Sequence, residues 1–287
     1  MTDQQHGQDF LAELSNVKQD LPYSLSLLRD LFGMTGESSR ASMDEIAQTI
    51  AHDQGLTTKI LALANSAFYG LQAKVSSVSR AITLLGLKEI RNLVLILGAQ
   101  AVTVRHTLPE SFRLGPYWRH QLSVGVIAKT LGEKRQVRDP DILFTAGLLH
   151  DFGKLLTALH RPVDWLAIQD IAADRSLQHN LAEEEYWGLE HGLIGAMTLN
   201  SWNLPRELTE PLNWHHSPAL AGDFKDDAAV ICVADAMHHW IEDSSVPLLR
   251  PAEALLADWE WDLDETTVLC GDALDDDSID QLAAALI

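Results

Sequence analysis

Cysteine is nearly absent: Cys232 and Cys270 are all that 287 residues contain. Two thiols are too few for a disulfide framework or a thiolate zinc site. Basic residues are also scarce, 21 Lys and Arg against 41 Asp and Glu, which gives a formal net charge of -20 and a pI near 4.8. Nonspecific binding of nucleic acid needs a basic face that displaces phosphate counterions. No basic strip is visible beyond residues 129–138, so such binding is not expected. No apolar run reaches the roughly 20 residues that span a bilayer. The most apolar segment, residues 93–104, is interrupted by Gln100 and reads as a buried helix. Residues 1–20 are polar and lack the apolar stretch of a secretory signal. A soluble, cytoplasmic chain with no membrane partner is the expectation. Period-two runs of β-branched residues are missing too, as are internal repeats and low-complexity stretches. Strands are therefore not expected to matter.

What is present is ordinary globular composition, 46% hydrophobic and 22% charged, in a chain long enough to bury a sizeable core. Helical spacing predicts helices over residues 9–17 and 23–32, followed by a polar loop. Ser42 and Glu45 form a capping-box pattern, ahead of an apolar stripe at Ile46, Ala47 and Ile50. Helical segments follow over 56–70, 77–85 and 88–104, closed or broken by Gly70 and Gly86. In the second half, residues 117–131 read as a helix with Trp118, Leu122, Val126 and Ile127 inward and His120 beside them. Asp139-Pro140 opens the next helix, which ends at His150-Asp151. Residues 155–171 are helical with a break at Arg161-Pro162, and 181–199 form one helical region. Its acidic start, Glu183, Glu184 and Glu185, suits the helix dipole. Residues 206–216 and 226–241 complete the helices. After Arg250 no Lys or Arg remains, and the acidic tail around Trp259 and Trp261 reads as a solvated face with a few core aromatics.

The stretch Gly147-Leu148-Leu149-His150-Asp151-Phe152-Gly153-Lys154 places an imidazole and a carboxylate side by side at a helix end. Such a pair holds divalent metal, and an Asp can bridge two ions. An isolated His-Asp pair is more often a helix cap, but here the chain supplies companions in order: His120, His191, His215, His216 and Asp235. Imidazole and carboxylate without thiolate suit iron, manganese, zinc or magnesium, with imidazole pulling away from magnesium.

Together with Leu61-Ala62-Leu63-Ala64-Asn65-Ser66-Ala67-Phe68-Tyr69-Gly70, Ala81-Ile82-Thr83-Leu84-Leu85-Gly86, Glu190-His191-Gly192-Leu193-Ile194-Gly195-Ala196 and Trp214-His215-His216, these residues resemble the HDOD family of HD-related output domains in bacterial signalling proteins. The resemblance covers roughly residues 15–240. It implies an all-α fold: an HD-type helical bundle with an additional N-terminal helical subdomain. The expected segmentation is an N-terminal subdomain over 1–110, an HD-like subdomain with a metal site over 111–245, and an acidic extension over 246–287. Members of the family are thought of as regulatory or scaffolding modules, often with incomplete metal sites. This chain keeps the full HD-type order, His120, His150, Asp151 and Asp235. Its His191, His215 and His216 match positions that hold additional metal ions in the related HD-GYP phosphodiesterases. After His216 the chain reads Ser217-Pro218-Ala219-Leu220, without the Gly-Tyr-Pro signature, so the resemblance does not support hydrolysis of cyclic dinucleotides.

The resemblance therefore implies a divalent metal, dinuclear if both groups load, with iron or manganese favoured over zinc or magnesium. Asp151 and Lys154 are the candidate catalytic residues, Lys154 as a phosphate holder or equally as a solvated side chain. His120 and Asp235, set among Val, Ile and Trp, have a buried hydrogen-bonded role as the plainer alternative. His215 and His216 are adjacent, which leaves one of them as a structural residue an open alternative. His238 and His239 read as surface or supporting residues, and His6, His52, His106, His160 and His179 as unconnected to the site. Asn65, Ser66 and Tyr69 read as a helix end in preference to a recognition surface. A regulatory module acting through a signalling partner, or through an upstream receiver or sensor domain, stands first. A metal-dependent phosphohydrolase or phosphodiesterase with a small nucleotide ligand is the alternative.

Overall fold

The computed structural model describes residues 3–14, 30–31, 33–34, 39–101, 103, 107–137, 139–202, 204–245 and 247–287. The described residues are all-α, with no strand among them. In chain order the helices are α1 (Asp3–Glu13), α2 (Met43–Ala51), α3 (Gln54–Ala64), α4 (Val78–Leu85), α5 (Leu87–Ala101), α6 (Leu114–Lys134), α7 (Pro140–Leu149) and α8 (Phe152–His160). They continue with α9 (Pro162–Arg175), α10 (His179–Trp187), α11 (His191–Ser201), α12 (Arg206–Asn213), α13 (Lys225–Glu242), α14 (Arg250–Asp258), α15 (Leu263–Ala273) and α16 (Asp276–Ala284). The helix expected over 9–17 begins earlier, as α1, and the one expected over 23–32 falls almost wholly outside the described residues.

The chain divides into two compact units, Met1–Asn16 with His106–Leu274, and Val17–Arg105 with Asp275–Ile287. Residues 246–287, expected to stand apart as an acidic extension, are shared between them. Helices α14 and α15 pack on α13, and α15 also on α6. Trp259 and Trp261 lie under Arg135 and Lys134, at 4.2 and 4.1 Å from the cations, and Lys129 pairs with Asp141 at 2.7 Å. These contacts engage three cations of the basic strip within the fold. Helix α16 buries Ile279, Leu282 and Ala283 in the second unit, where it packs on the turn Ala67–Tyr69. A boundary drawn from charge follows the solvent face of a helix. The apolar face decides where the helix docks.

In the second unit, Ser42 and Glu45 cap α2 reciprocally, and Ile46, Ala47 and Ile50 are buried behind the cap. Asn65 ends α3 and does more. Its amide donates to Leu61 O at 2.7 Å and Val75 O at 2.8 Å, and its Oδ1 accepts from Val75 N at 2.7 Å. One side chain thus caps a helix and clamps the loop ten residues on.

In the first unit, α6 buries Trp118, Leu122 and Ile127, while Val126 is only half-buried. Residues 140–160, in α7 and α8, are long and apolar enough to cross a bilayer, but 89% of the most apolar window is buried in the fold. It is this stretch, not residues 93–104, that combines such length with such composition. The region expected as one helix over 181–199 is two, because Gly188, at φ 72°, ends α10 and the chain turns into α11. Glycines set the approach of the helices that carry the histidines. A Cβ on Gly147 would stand 2.9 Å from Val124 O on α6, and one on Gly153 would stand 2.0 Å from His191 O on α11.

Candidate metal centre

His150 caps α7 and Asp151 leads into α8, so the pair sits at a break between two buried helices. Around it, α6 presents His120, α11 begins with His191, the turn after α12 carries His215 and His216, and α13 presents Asp235. The backbone fixes two of the rings. His150 Nδ1 lies 2.7 Å from Gly147 O, and His215 Nδ1 lies 2.7 Å from Leu212 O. A carbonyl only accepts, so each Nδ1 carries its proton and, in the neutral ring, Nε2 turns inward as a lone pair. His191 is held by a carboxylate instead: Glu183 Oε2 accepts from His191 Nδ1 at 2.6 Å and from its backbone N–H at 2.8 Å.

All seven expected ligands converge. His120 Nε2 lies 3.3 Å from His150 Nε2, 3.3 Å from Asp235 Oδ1 and 3.5 Å from Asp151 Oδ2. His150 Nε2 lies 3.5 Å from Asp151 Oδ1 and 3.7 Å from Asp235 Oδ1. On the other side of Asp151, His191 Nε2 is 3.0 Å from Oδ1 and 3.0 Å from His216 Nε2. His120, His150 and Asp235 make one group of donors and His191, His215 and His216 another, each within 4.8 Å of one another. A third group of the same span, His150, Asp151 and His215, links them. Adjacent His215 and His216 face the same centre.

The protonation states follow from burial and from these partners. Burial alone would depress His120, but Asp151 and Asp235 overcome it and hold the ring up to about 9. His191 is likewise pushed down by burial and raised to about 9, chiefly by Glu183 and then Asp151. Burial and the neighbouring His150 bring His215 down to about 3, and burial with His215 holds His216 well below the usual imidazole range. Asp151 and Asp235 stay ionised despite burial, because the surrounding imidazoles, and Lys154 for Asp151, hold them well below the carboxylate range. The residues fit a divalent cation. Asp151 Oδ1, Asp235 Oδ1 and His215 Nε2 are buried at the centre without an aligned hydrogen bond, and all three are electron-pair donors. No thiolate competes, since both cysteines are free and buried, and burial pushes Cys232 up to about 12.

Lys154 Nζ is 2.8 Å from Asp151 Oδ2, so it is an ion-paired member of the site and not a free solvated chain. Burial opposes its charge, but Asp151 and Asp235 keep it protonated. Other members escaped the sequence reading. Glu183, whose place at a helix start predicts only a dipole role, is fully buried and accepts from His191. His179, which reads from sequence as unconnected to the site, lies 3.1 Å from Glu183 Oε1. His238 is buried, with Nδ1 3.0 Å from His120 Nδ1, and His239 is exposed, with Nε2 3.4 Å from Asp235 Oδ1. The available signal was spacing: 179 and 183 share a helix face, as do 235, 238 and 239. His6 and His106 fall where no side chain is described, and His52 and His160 lie outside the centre.

A cavity of about 440 Å³ opens onto the centre, with Lys154, His191, His216 and Asp235 in its wall. Trp240, Pro247, Leu248 and Leu249 make its apolar side, and Gln178 and Asn180 add amides.

The HDOD domain model matches residues 21–218. A 251-residue stretch is 25% identical to an uncharacterised protein of Treponema pallidum (strain Nichols), covering 86% of this chain and 47% of that one. The chain thus spans about half the length of the curated relative it matches. A crystal structure named as a candidate phosphohydrolase from Shewanella amazonensis SB2B superposes with a TM-score of 0.71 at 23% identity, covering 96% of this chain and 98% of that one. Another, named as a candidate signal transduction protein from Marinobacter aquaeolei VT8, gives 0.76 at 18% identity, covering 99% and 66%. At these identities the likeness is one of fold.

Proposed function

The chain belongs to the HDOD domain family, and from that premise we propose that it is a metal-dependent phosphohydrolase acting on a small phosphate ester. One observation carries the reading: three of the donors, His191, His216 and Asp235, line the same ligand-sized cavity as Lys154. A structural metal site is usually closed, whereas chemistry needs an open side. This observation moves the balance from the regulatory reading, which sequence alone places first, to the catalytic one.

Two ions would find donors here: His120, His150 and Asp235 would hold one, and His191, His215 and His216 the other, with Asp151 in reach of both groups. A bound divalent ion supplies Lewis acidity and makes a nucleophile of water at neutral pH. Five imidazoles favour iron or manganese over magnesium. The protein's own groups do the rest. Asp151 and Asp235 keep negative charge at the floor of the site, and Glu183 and His238 fix the rings of His191 and His120. Lys154 Nζ, already on the cavity wall, holds a phosphoryl oxygen and offsets its charge. In the overall reaction the water oxygen bonds to phosphorus, the ester P–O bond breaks, and the alcohol leaves with a proton.

The test is hydrolysis of bis-p-nitrophenyl and p-nitrophenyl phosphate by tag-free protein loaded in turn with iron, manganese, zinc or magnesium. Metal-dependent turnover is expected, falling at least about 100-fold in Asp151→Asn with the circular dichroism unchanged. No turnover with any of the four metals overturns the proposal and leaves the regulatory reading, an HDOD module working through a signalling partner.

A further inference from the structure

The cavity runs along α13, whose axial rise gives it a length scale. Asp235, Ala236, His239, Trp240, Glu242 and Asp243 all line it. At a rise of about 1.5 Å per residue, Trp240 stands about 7.5 Å beyond Asp235 and Asp243 about 12 Å beyond it. A ligand with its phosphate at the metal centre therefore meets an indole at the distance of one sugar-sized spacer. Farther out it meets carboxylates.

We infer that the cavity selects a phosphomonoester whose alcohol carries one flat ring, a nucleoside monophosphate being the chemical type, and rejects polyphosphates and cyclic dinucleotides. The inference deepens the phosphohydrolase reading and rests on it. Three observations carry it. The first is the half-buried Trp240 with Pro247, Leu248 and Leu249, which gives a ring a stacking face and an apolar wall, while Gln178 and Asn180 supply directional donors and acceptors for its edge. Charge is the second. Among the described lining residues there is one Lys and no Arg, and that lysine is already paired with Asp151. A second phosphate would find no fixed cation of its own. It would lie instead against Asp243, whose carboxylate is kept ionised by the hydroxyl and backbone N–H of Ser245 at 2.6 and 3.0 Å. Glu242 beside it is already offset by Arg119 at 2.6 Å, so the repulsion rests on Asp243. Volume is the third: about 440 Å³ is near the small end of ligand cavities and suits one nucleotide, not two.

The experiment compares AMP, glycerol phosphate, ATP and cyclic di-GMP on the metal-loaded full chain, by phosphate release or product analysis and by calorimetric binding. The expected kcat/KM for AMP exceeds that for each of the other three at least about tenfold, from one stacked ring and one avoided like-charge contact. Trp240→Ala brings the ratio of AMP to glycerol phosphate towards one, and Trp240→Phe restores most of it. Equal rates for AMP and glycerol phosphate, or a preference for ATP or cyclic di-GMP, overturn the inference. If the generic nitrophenyl esters are not hydrolysed either, it is the phosphohydrolase reading that fails. Calorimetry then judges the cavity by itself: AMP binding that weakens in Trp240→Ala upholds the recognition, and its absence refutes it.

Discussion

His191 stands between two carboxylates, Glu183 on Nδ1 and Asp151 on Nε2, and all three side chains are buried. The Glu183 contact sets the tautomer and leaves Nε2 for the centre. Glu183→Gln keeps the volume but weakens that hold, so metal affinity is expected to drop about 10- to 100-fold, read by competition with a chelating dye. An unchanged affinity would make Glu183 a purely structural acid. The same residues set a pH dependence. In the metal-free protein His120 and His191 are raised from 6.5 to about 9. Stability from a raised pKa is complete below about 6.5 and is lost as pH climbs through about 9. Asp151, Asp235 and Glu183 are depressed below their ordinary 3.8 and 4.5, so their share is present above those values and is lost as pH falls. His215 and His216 are depressed instead, so their burial costs stability below about 6.5 and that cost lifts as pH rises past it. Chelated protein should thus melt highest at about pH 6.5 to 7 and lose about 5 °C or more by pH 9, while metal-loaded protein holds steady over that range. Calorimetric scans decide it, and a metal-free Tm that is flat from about pH 6 to 9 contradicts the assignment.

At the level of helices, the crossing of α8 and α11 is what brings His191 to Asp151, and Gly153 permits it. A methyl there would meet His191 O at 2.0 Å, a backbone atom that cannot swing aside. Gly153→Ala is expected to destabilise by about 3 kcal/mol or more, as overpacking of a tight contact does. Gly271, inside α15 with nothing near its missing Cβ, is the control: Gly271→Ala should stabilise by about 0.4–1 kcal/mol. Urea melts of the two variants check both signs. Most helices were legible in the sequence through apolar spacing and caps, as Ser42 with Glu45 and Asp139-Pro140 show. The break at Gly188 was not, because apolar residues continue across it and only the left-handed φ of 72° ends α10. Glu183 and His179 are hidden in the sequence for a related reason. A polar residue buried in a network has the same spacing as one facing water, and only its partners eight or four residues away distinguish it.

On the scale of the whole molecule, the order His120, His150-Asp151, His191, His215-His216, Asp235 spans 116 residues from first to last, yet it folds into overlapping groups of donors, each within 4.8 Å. That convergence could be named in advance only through the family resemblance, since no local pattern links α6 to α13. The division of the chain was less legible. Residues 275–287 return to the unit built mainly from 17–105, and the acidity of the tail gave no hint of it. The convergent donors are expected to hold metal. Elemental analysis of tag-free protein, expressed without added metal, tests it most directly, alongside His215→Ala. Two equivalents of iron or manganese per chain are expected, falling in the variant. A folded protein that carries no metal, and takes none up when dialysed against either ion, would contradict the claim.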